Sequence, residues 1–217
     1  LKDAAYQFDA TKFGLWLKEH FCLPKGLKHI LSEVKEITQN ENGIEHLILD
    51  DGRKIDGDLF IDCTGFRSML MNETLLEPFD SYSDILPNNS AWATKIPYKN
   101  KSRQMVAYTN CSAIDNGWVW SIPLWSRMGS GYVYSDEFIM DDDALIEFQE
   151  HIGCGDELDY KNIKMRIGIH NKLWVKNVIA IGLSAGFIEP LESTGLQLTH
   201  DALFHLVRVL QRENSSQ

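Results

Sequence analysis

The sequence predicts an α+β fold in which an antiparallel sheet is inserted between two segments of mixed strand and helix. Three observations carry that expectation. Amphipathic helical patterns lie near both ends of the 217 residues; four runs rich in Trp, Tyr, Val and Ile lie between 91 and 135; and a short apolar strand ending in small residues and glycine occurs on each side of those runs.

Asp9 is a good N-cap, and Phe13, Trp16, Leu17 and Phe21 after it form an apolar stripe that Pro24-Lys25-Gly26 ends. Two β-rich runs, 28–38 and 44–49, are joined across Asn40-Glu41-Asn42-Gly43, where Asn-Gly suits the positive φ of a tight hairpin. After the Asp51-Gly52 turn, the run from Asp58 to Gly65 reads as a buried strand that stops beneath a ligand. Between 68 and 88 the periodicity fades into Pro, Asn, Ser and Asp, marking a connecting segment. Strands are expected at 91–98, 104–110, 117–122 and 130–135. Asp141-Asp142-Asp143 opens a helix with a stripe of Leu145, Phe148 and Gln149, closed by Gly153-Cys154-Gly155. Strands near 163–169 and 177–182 follow, then a glycine-rich bend. The last helix, 194–211, has a stripe of Leu196, Thr199, Leu203, Leu206, Val207 and Leu210. The resulting division is 1–80, 81–155 and 156–217.

Lys plus Arg number 21 against 31 Asp plus Glu, a net charge of −10. That balance repels nucleic-acid phosphates and anionic membrane surfaces, so neither is an expected partner. Cys22, Cys63, Cys111 and Cys154 lack the clustered spacing of a disulfide framework or zinc site and read as reduced thiols, in keeping with a cytoplasmic protein. No metal site is expected, since His200 and His205 are five residues apart and do not share the i, i+4 face of a zinc helix. No apolar run approaches a membrane span and no basic-then-apolar run opens the sequence, so neither a membrane span nor a signal peptide is expected. Residue 1 is Leu, so the sequence is expected to begin inside a longer protein.

The stretch from Asn177 to Leu196 carries the most chemistry. A buried strand enters small residues that let a flat or phosphorylated ligand approach the backbone, and a helix begins directly after them. Two readings stand at that helix start. The free amides of Thr194, Gly195 and Leu196 hold a small anion, or Ser193 or Thr194 is a plain cap. Glu192, between the bend and the helix, is placed to accept a proton or to stabilise a cation, whereas Glu189 beside Pro190 reads as structural. The helix dipole would lower the Glu192 pKa and apolar enclosure would raise it, and the pattern does not decide between them. In Gly117-Trp118-Val119-Trp120-Ser121-Ile122-Pro123, Trp118 and Trp120 share one face of a strand, as core or as a ligand wall. Arg67 reads as a surface side chain.

These residues together resemble the flavin-dependent tryptophan halogenases. Gly117–Pro123 is similar to their WxWxIP signature through Trp118, Trp120, Ile122 and Pro123, and Gly182–Leu196 to the segment with the Glu-Pro-Leu-Glu-Ser-Thr-Gly core. Ala5–Phe13 and Asp58–Arg67 are also similar, so the resemblance spans almost the whole chain. It implies an incomplete α/β FAD-binding module of the aromatic-hydroxylase type, comprising 1–80 and 156–217, and an antiparallel β-sheet substrate module at 81–155. It implies halogenation of tryptophan or a related indole with chloride or bromide, using dioxygen and reduced FAD from a separate flavin reductase; a homodimer is allowed for. Glu192 matches the catalytic glutamate, Thr194 and Gly195 the halide-binding backbone, and Val34, Leu183 and Leu196 positions that touch FAD. Trp118 and Trp120 match the tryptophans held to keep substrate from the flavin. No GxGxxG is present and no lysine matches the family's catalytic one, so both are expected outside this chain, which alone is expected to be inactive. The alternatives are an FAD-dependent aromatic monooxygenase and a truncated, non-catalytic remnant.

Overall fold

The computed structural model describes residues 6–188, 191 and 194–214. Its strands in chain order are β1 Val34–Asn40, β2 Gly43–Leu49, β3 Lys54–Asp56, β4 Phe60–Asp62, β5 Phe79–Ser81, β6 Ser90–Ile96, β7 Asn110–Ile114, β8 Gly117–Pro123, β9 Met128–Tyr134, β10 Tyr160–Lys164, β11 Gly168–His170, β12 Trp174–Val175, β13 Val178–Ala180 and β14 Gly186–Phe187. The helices are α1 Ala10–Leu17, α2 Lys101–Gln104, α3 Asp141–Ile152 and α4 Thr194–Asn214. They form two compact units, one of Leu1–Leu31 with Asn88–Lys164, the other of Ser32–Pro87 with Met165–Gln217.

The first unit is built on an antiparallel sheet ordered β10-β6-β9-β8-β7. Its buried face, with Val119, Tyr132 and Tyr134, packs on Ala144 and Phe148 of α3. Ala144 and Phe148, rather than Leu145 and Gln149, therefore centre the face that α3 buries. The strand expected at 104–110 is absent. Asn100 caps α2 by accepting from the Arg103 amide, and the Asp115-Asn116 turn sets the register Ile114↔Gly117, which moves the paired segment to 110–114. Asp9 caps α1 by accepting from the Lys12 amide at 3.2 Å. Its second oxygen pairs with Arg127 beyond β8, tying α1 to this unit; the Arg127 hydrogen bond, before all else, holds the Asp9 carboxyl below the usual range. α1 runs on into a π-helical turn, Lys18–Cys22, and a 3-10 turn, Leu23–Lys25, which Gly26 ends in a left-handed conformation.

In the second unit β1, β2 and β3 form an antiparallel meander, with the register closing at Asn40↔Gly43. The first strand starts at Val34 rather than 28, because β2 turns away at Asp50–Gly52 and the residues before Glu33 have no ladder partner. The segment 68–88 is not wholly irregular: it holds a π-helical turn, Met69–Thr74, and β5. The run expected at 163–169 is two strands, because the chain passes from one unit to the other between Lys164 and Met165. β13 pairs in parallel with β4, Val178↔Phe60 through Ala180↔Asp62. Val178 and Ala180 face a core with Ile44, Phe60, Leu70 and Met71, while Ile179 and Ile181 pack on Leu206 of α4. Burial on both faces explains the unbroken apolar run. The face α4 packs inward is centred on Ala202 and Leu206, whereas Leu196, Leu203 and Val207 of the expected stripe are exposed.

Candidate functional site

The parallel pair organises the site. At the carboxyl end of β4 the Asp62 carboxylate is fully buried and accepts four hydrogen bonds. One oxygen takes the Thr64 amide (3.0 Å) and hydroxyl (2.6 Å); the other takes the amides of Leu70 (2.8 Å) and Met71 (3.0 Å). This closes the chain into the turn Gly65–Arg67 and the π-helical turn after it. The Asp62 carbonyl accepts from the Ile181 amide at 3.0 Å and from the Ser184 hydroxyl, so the turn Gly182–Ser184 after β13 sits beside the first. Gly182 has φ +72, a left-handed conformation that side-chain-bearing residues avoid. Ligands in open α/β sheets bind outside the carboxyl ends of parallel strands, and these two turns are such ends.

Beside them lies a mostly apolar cavity of about 550 Å³. Gly182, Leu183 and Ala185 supply one side, Gly195, Leu196 and Thr199 of α4 another. The structure thus brings together Leu183, Gly195 and Leu196 of the expected site. Val34 lies instead in a more polar cavity of about 370 Å³ with Met69, Arg67 and Glu73. Arg67 is exposed, as its residue type suggested; its Nε donates to both Glu73 oxygens at 3.0 Å, which raises the Arg67 pKa. Thr194 is the first residue of α4, and Glu192, Ser193, Glu189 and Pro190 lie outside the described residues.

Sequence reasoning missed several residues of the larger cavity. Tyr82 stands in the segment read as a connection, and Ile169 and Leu173 flank a strand that the pattern merged with its predecessor. Phe187, edge-on to Phe66 at 5.4 Å, lay within the glycine-rich stretch, where its ring was the available signal. Burial raises the Cys63 thiol pKa, with the Asp62 charge adding to it. The four cysteines are free thiols. Among the described residues no group of three or more His, Cys, Asp or Glu side chains is placed to hold a metal, and no helix is long and apolar enough to cross a membrane.

In the first unit Trp118 and Trp120 lie side by side on β8, centroids 6.1 Å apart and planes at 58°. Val119 between them points into the α3 core, so Trp118, Trp120 and Ile122 share the opposite face, and Pro123 ends the strand. Trp120 pairs with Gly131 of β9, and its indole lies over that glycine: a Cβ there would sit 2.1 Å from the ring.

A family model described as tryptophan halogenase matches residues 2–217. The 7-chloro-L-tryptophan 6-halogenase KtzR of Kutzneria sp. (strain 744) is 40% identical over 206 residues, covering 94% of this chain and 40% of that protein. The tryptophan 7-halogenase RebH of Lentzea aerocolonigenes is 39% identical over 206 residues, covering 94% and 39%. Among solved structures, the tryptophan 6-halogenase SttH of Streptomyces toxytricini superposes with a TM-score of 0.87 at 39% identity, covering 92% of this chain and 39% of that one. The chain therefore spans about two-fifths of the length of these relatives.

Proposed function

Since this chain belongs to the tryptophan halogenase family, we propose that it is part of a flavin-dependent enzyme that halogenates tryptophan or a related indole with chloride or bromide. The observation that carries this reading is the cavity at the carboxyl ends of β4 and β13, where Leu183, Gly195 and Leu196 converge. Its apolar walls would suit the flat ring of FAD, and Leu183, Leu196 and Val34 would touch the cofactor. Reduced FAD, supplied by a separate reductase and used with dioxygen, furnishes the oxidising equivalent that turns halide into an electrophilic halogen.

The protein's residues do the rest. The Thr194 and Gly195 amides, at a helix start where N–H groups lack carbonyl partners, hold the halide. Glu192 acts beside the substrate, taking the proton that the ring loses or balancing its positive charge. Trp118 and Trp120 keep substrate from the flavin and so suppress oxygen transfer to it. The antiparallel sheet within 81–155 is the substrate module, and 1–80 with 156–217 are part of the FAD module.

The test uses the full-length protein with reduced FAD, dioxygen and each halide against a panel of indoles, read by product mass. Halogenated product supports the reading. A gain of one oxygen independent of halide favours a monooxygenase, and no product across the panel overturns it.

A further inference from the structure

The cavity beside the two turns is walled mostly by hydrocarbon, and in such a wall the few polar groups fix how a ligand lies. Among its described lining residues only Tyr82 and Thr199 carry polar side chains. The Thr199 hydroxyl is engaged, donating to the Gly195 carbonyl oxygen of its own helix at 2.9 Å. The Tyr82 hydroxyl has no hydrogen-bond partner among the described residues. Its backbone, by contrast, is held on both sides. The Tyr82 amide donates to the Ile167 carbonyl oxygen at 3.1 Å, carrying the β5–β11 ladder one step past Ser81↔Gly168. The Tyr82 carbonyl oxygen accepts from the amides of Ile85 (2.9 Å) and Leu86 (2.8 Å), which closes a turn directly after it. The register also sets the direction of the ring. Ile169 pairs with Asp80, so Tyr82, two residues on from Asp80, shares the face of Ile169, and both line the cavity. Tyr82 is half-buried, and a ligand that fills the cavity displaces the water around its hydroxyl, which then needs an acceptor on that ligand.

We propose that Tyr82 is a flavin-binding residue whose hydroxyl donates a hydrogen bond to a carbonyl oxygen of the isoalloxazine ring and so fixes which way that ring lies in the cavity. This rests on the reading of the cavity as a flavin site. Contact with hydrocarbon is non-directional, so Leu183, Ala185, Ile169 and Phe187 hold a flat ring without telling its ends apart. One directed donor distinguishes the end that carries carbonyl oxygens from the end that carries methyl groups. The same bond draws electron density toward the carbonyl, one of the levers by which a protein tunes a flavin.

The test compares the full-length protein with its Tyr82→Phe variant, which keeps the ring and the backbone turn and removes a single oxygen. Without ligand the two should melt together, because the hydroxyl holds no other described group. The dissociation constant for oxidised FAD, followed by flavin fluorescence, should weaken about fivefold, the equivalent of one neutral hydrogen bond. Infrared difference spectra of FAD-loaded against FAD-free protein should place a flavin carbonyl stretch at higher frequency in the variant, a change that a merely structural role does not produce. Equal FAD affinity in the two proteins, or carbonyl bands that coincide, would overturn the Tyr82 donor and leave the flavin reading intact. A variant that fails to fold would show that the hydroxyl already serves the structure, which overturns the donor as well. Failure of the unsubstituted protein to bind FAD would instead sink the flavin reading, and the donor with it.

Discussion

Gly195→Ala separates stability from halide use. Gly195 is the second residue of α4, and a Cβ built there meets nothing within 4 Å. Its φ is not in the left-handed range, so alanine needs no backbone adjustment. Exchanging glycine for alanine in a helix gains about 0.5–1 kcal/mol, which for a chain of this size raises the melting temperature by about 1–4 °C. The open space into which the methyl projects adjoins the cavity that Gly195 lines. If the amide there holds the halide, the methyl crowds it and raises the halide KM by about tenfold, roughly 1.4 kcal/mol. The larger bromide should suffer more than chloride. Thermal unfolding and initial rates against each halide at saturating reduced FAD read the two effects independently. A halide KM within twofold of the unsubstituted enzyme, in a protein that melts no lower, would refute the placement of the halide at this helix start.

Asp62→Asn removes the charge and turns an NH2 group toward at least one amide that also donates, that of Thr64, costing about 1.5–3 kcal/mol from one lost charge-assisted bond, and a urea midpoint near the unsubstituted one would contradict that hydrogen-bond pattern. Gly131→Ala drives a Cβ to 2.1 Å from the Trp120 ring and 2.6 Å from the Trp92 carbonyl oxygen, so the indole must move. A shifted tryptophan emission maximum is the expected sign, and an unchanged spectrum in a folded variant counts against the seat. Tyr132 and Tyr134 have pKa values raised far above 10.0, first by burial and then by hydrogen bonds to Glu147 and Asp141. The folded state therefore holds these protons where the unfolded chain gives them up, so stability is complete below about pH 10 and declines above it. Tyr132→Phe should flatten that decline in urea midpoints taken from about pH 8 to 11, and an equally steep fall would show that other groups drive it.

Features encoded within one element were legible in the sequence. The Asp9 cap, the 40–43 hairpin, the Trp118/Trp120 face and the Gly153 helix stop each depend on neighbouring residues, and each is where the pattern placed it. What failed depends on partners distant in sequence. The periodicity of α4 showed that one face is apolar but not that Ala202 and Leu206 centre the buried side, because the choice is made by Ile179 and Ile181. β4 and β13 are three residues each, too short to carry a period, and their parallel pairing across more than a hundred residues leaves no local trace. His170, on the strand that pairs with β5 and β14, and Ser68, after β4, come near one another 102 positions apart with no local signal of it. Leu183 and Leu196 were expected from family resemblance rather than from pattern, and both line one cavity.

The second unit divides its polar and apolar work by position. The buried polar groups around the two turns are largely satisfied by one another: Asp62 by four donors, Ser184 by two carbonyls, Ser68 by the Ser184 carbonyl, His170 by Arg166 and two backbone oxygens. Leu183, Ala185, Ile169 and Phe187 then present hydrocarbon to the cavity. A buried polar group left unpaired costs about 1–3 kcal/mol, and Arg166 Nε, buried without a partner among the described residues, is the exception in this network. On the proposed function, an apolar wall on this hydrogen-bonded base would keep water from the oxidant used there. The same economy explains why Asp62 serves both turns: its carboxylate shapes one and its carbonyl receives the other, so any change that loosens one loosens the wall the two make together.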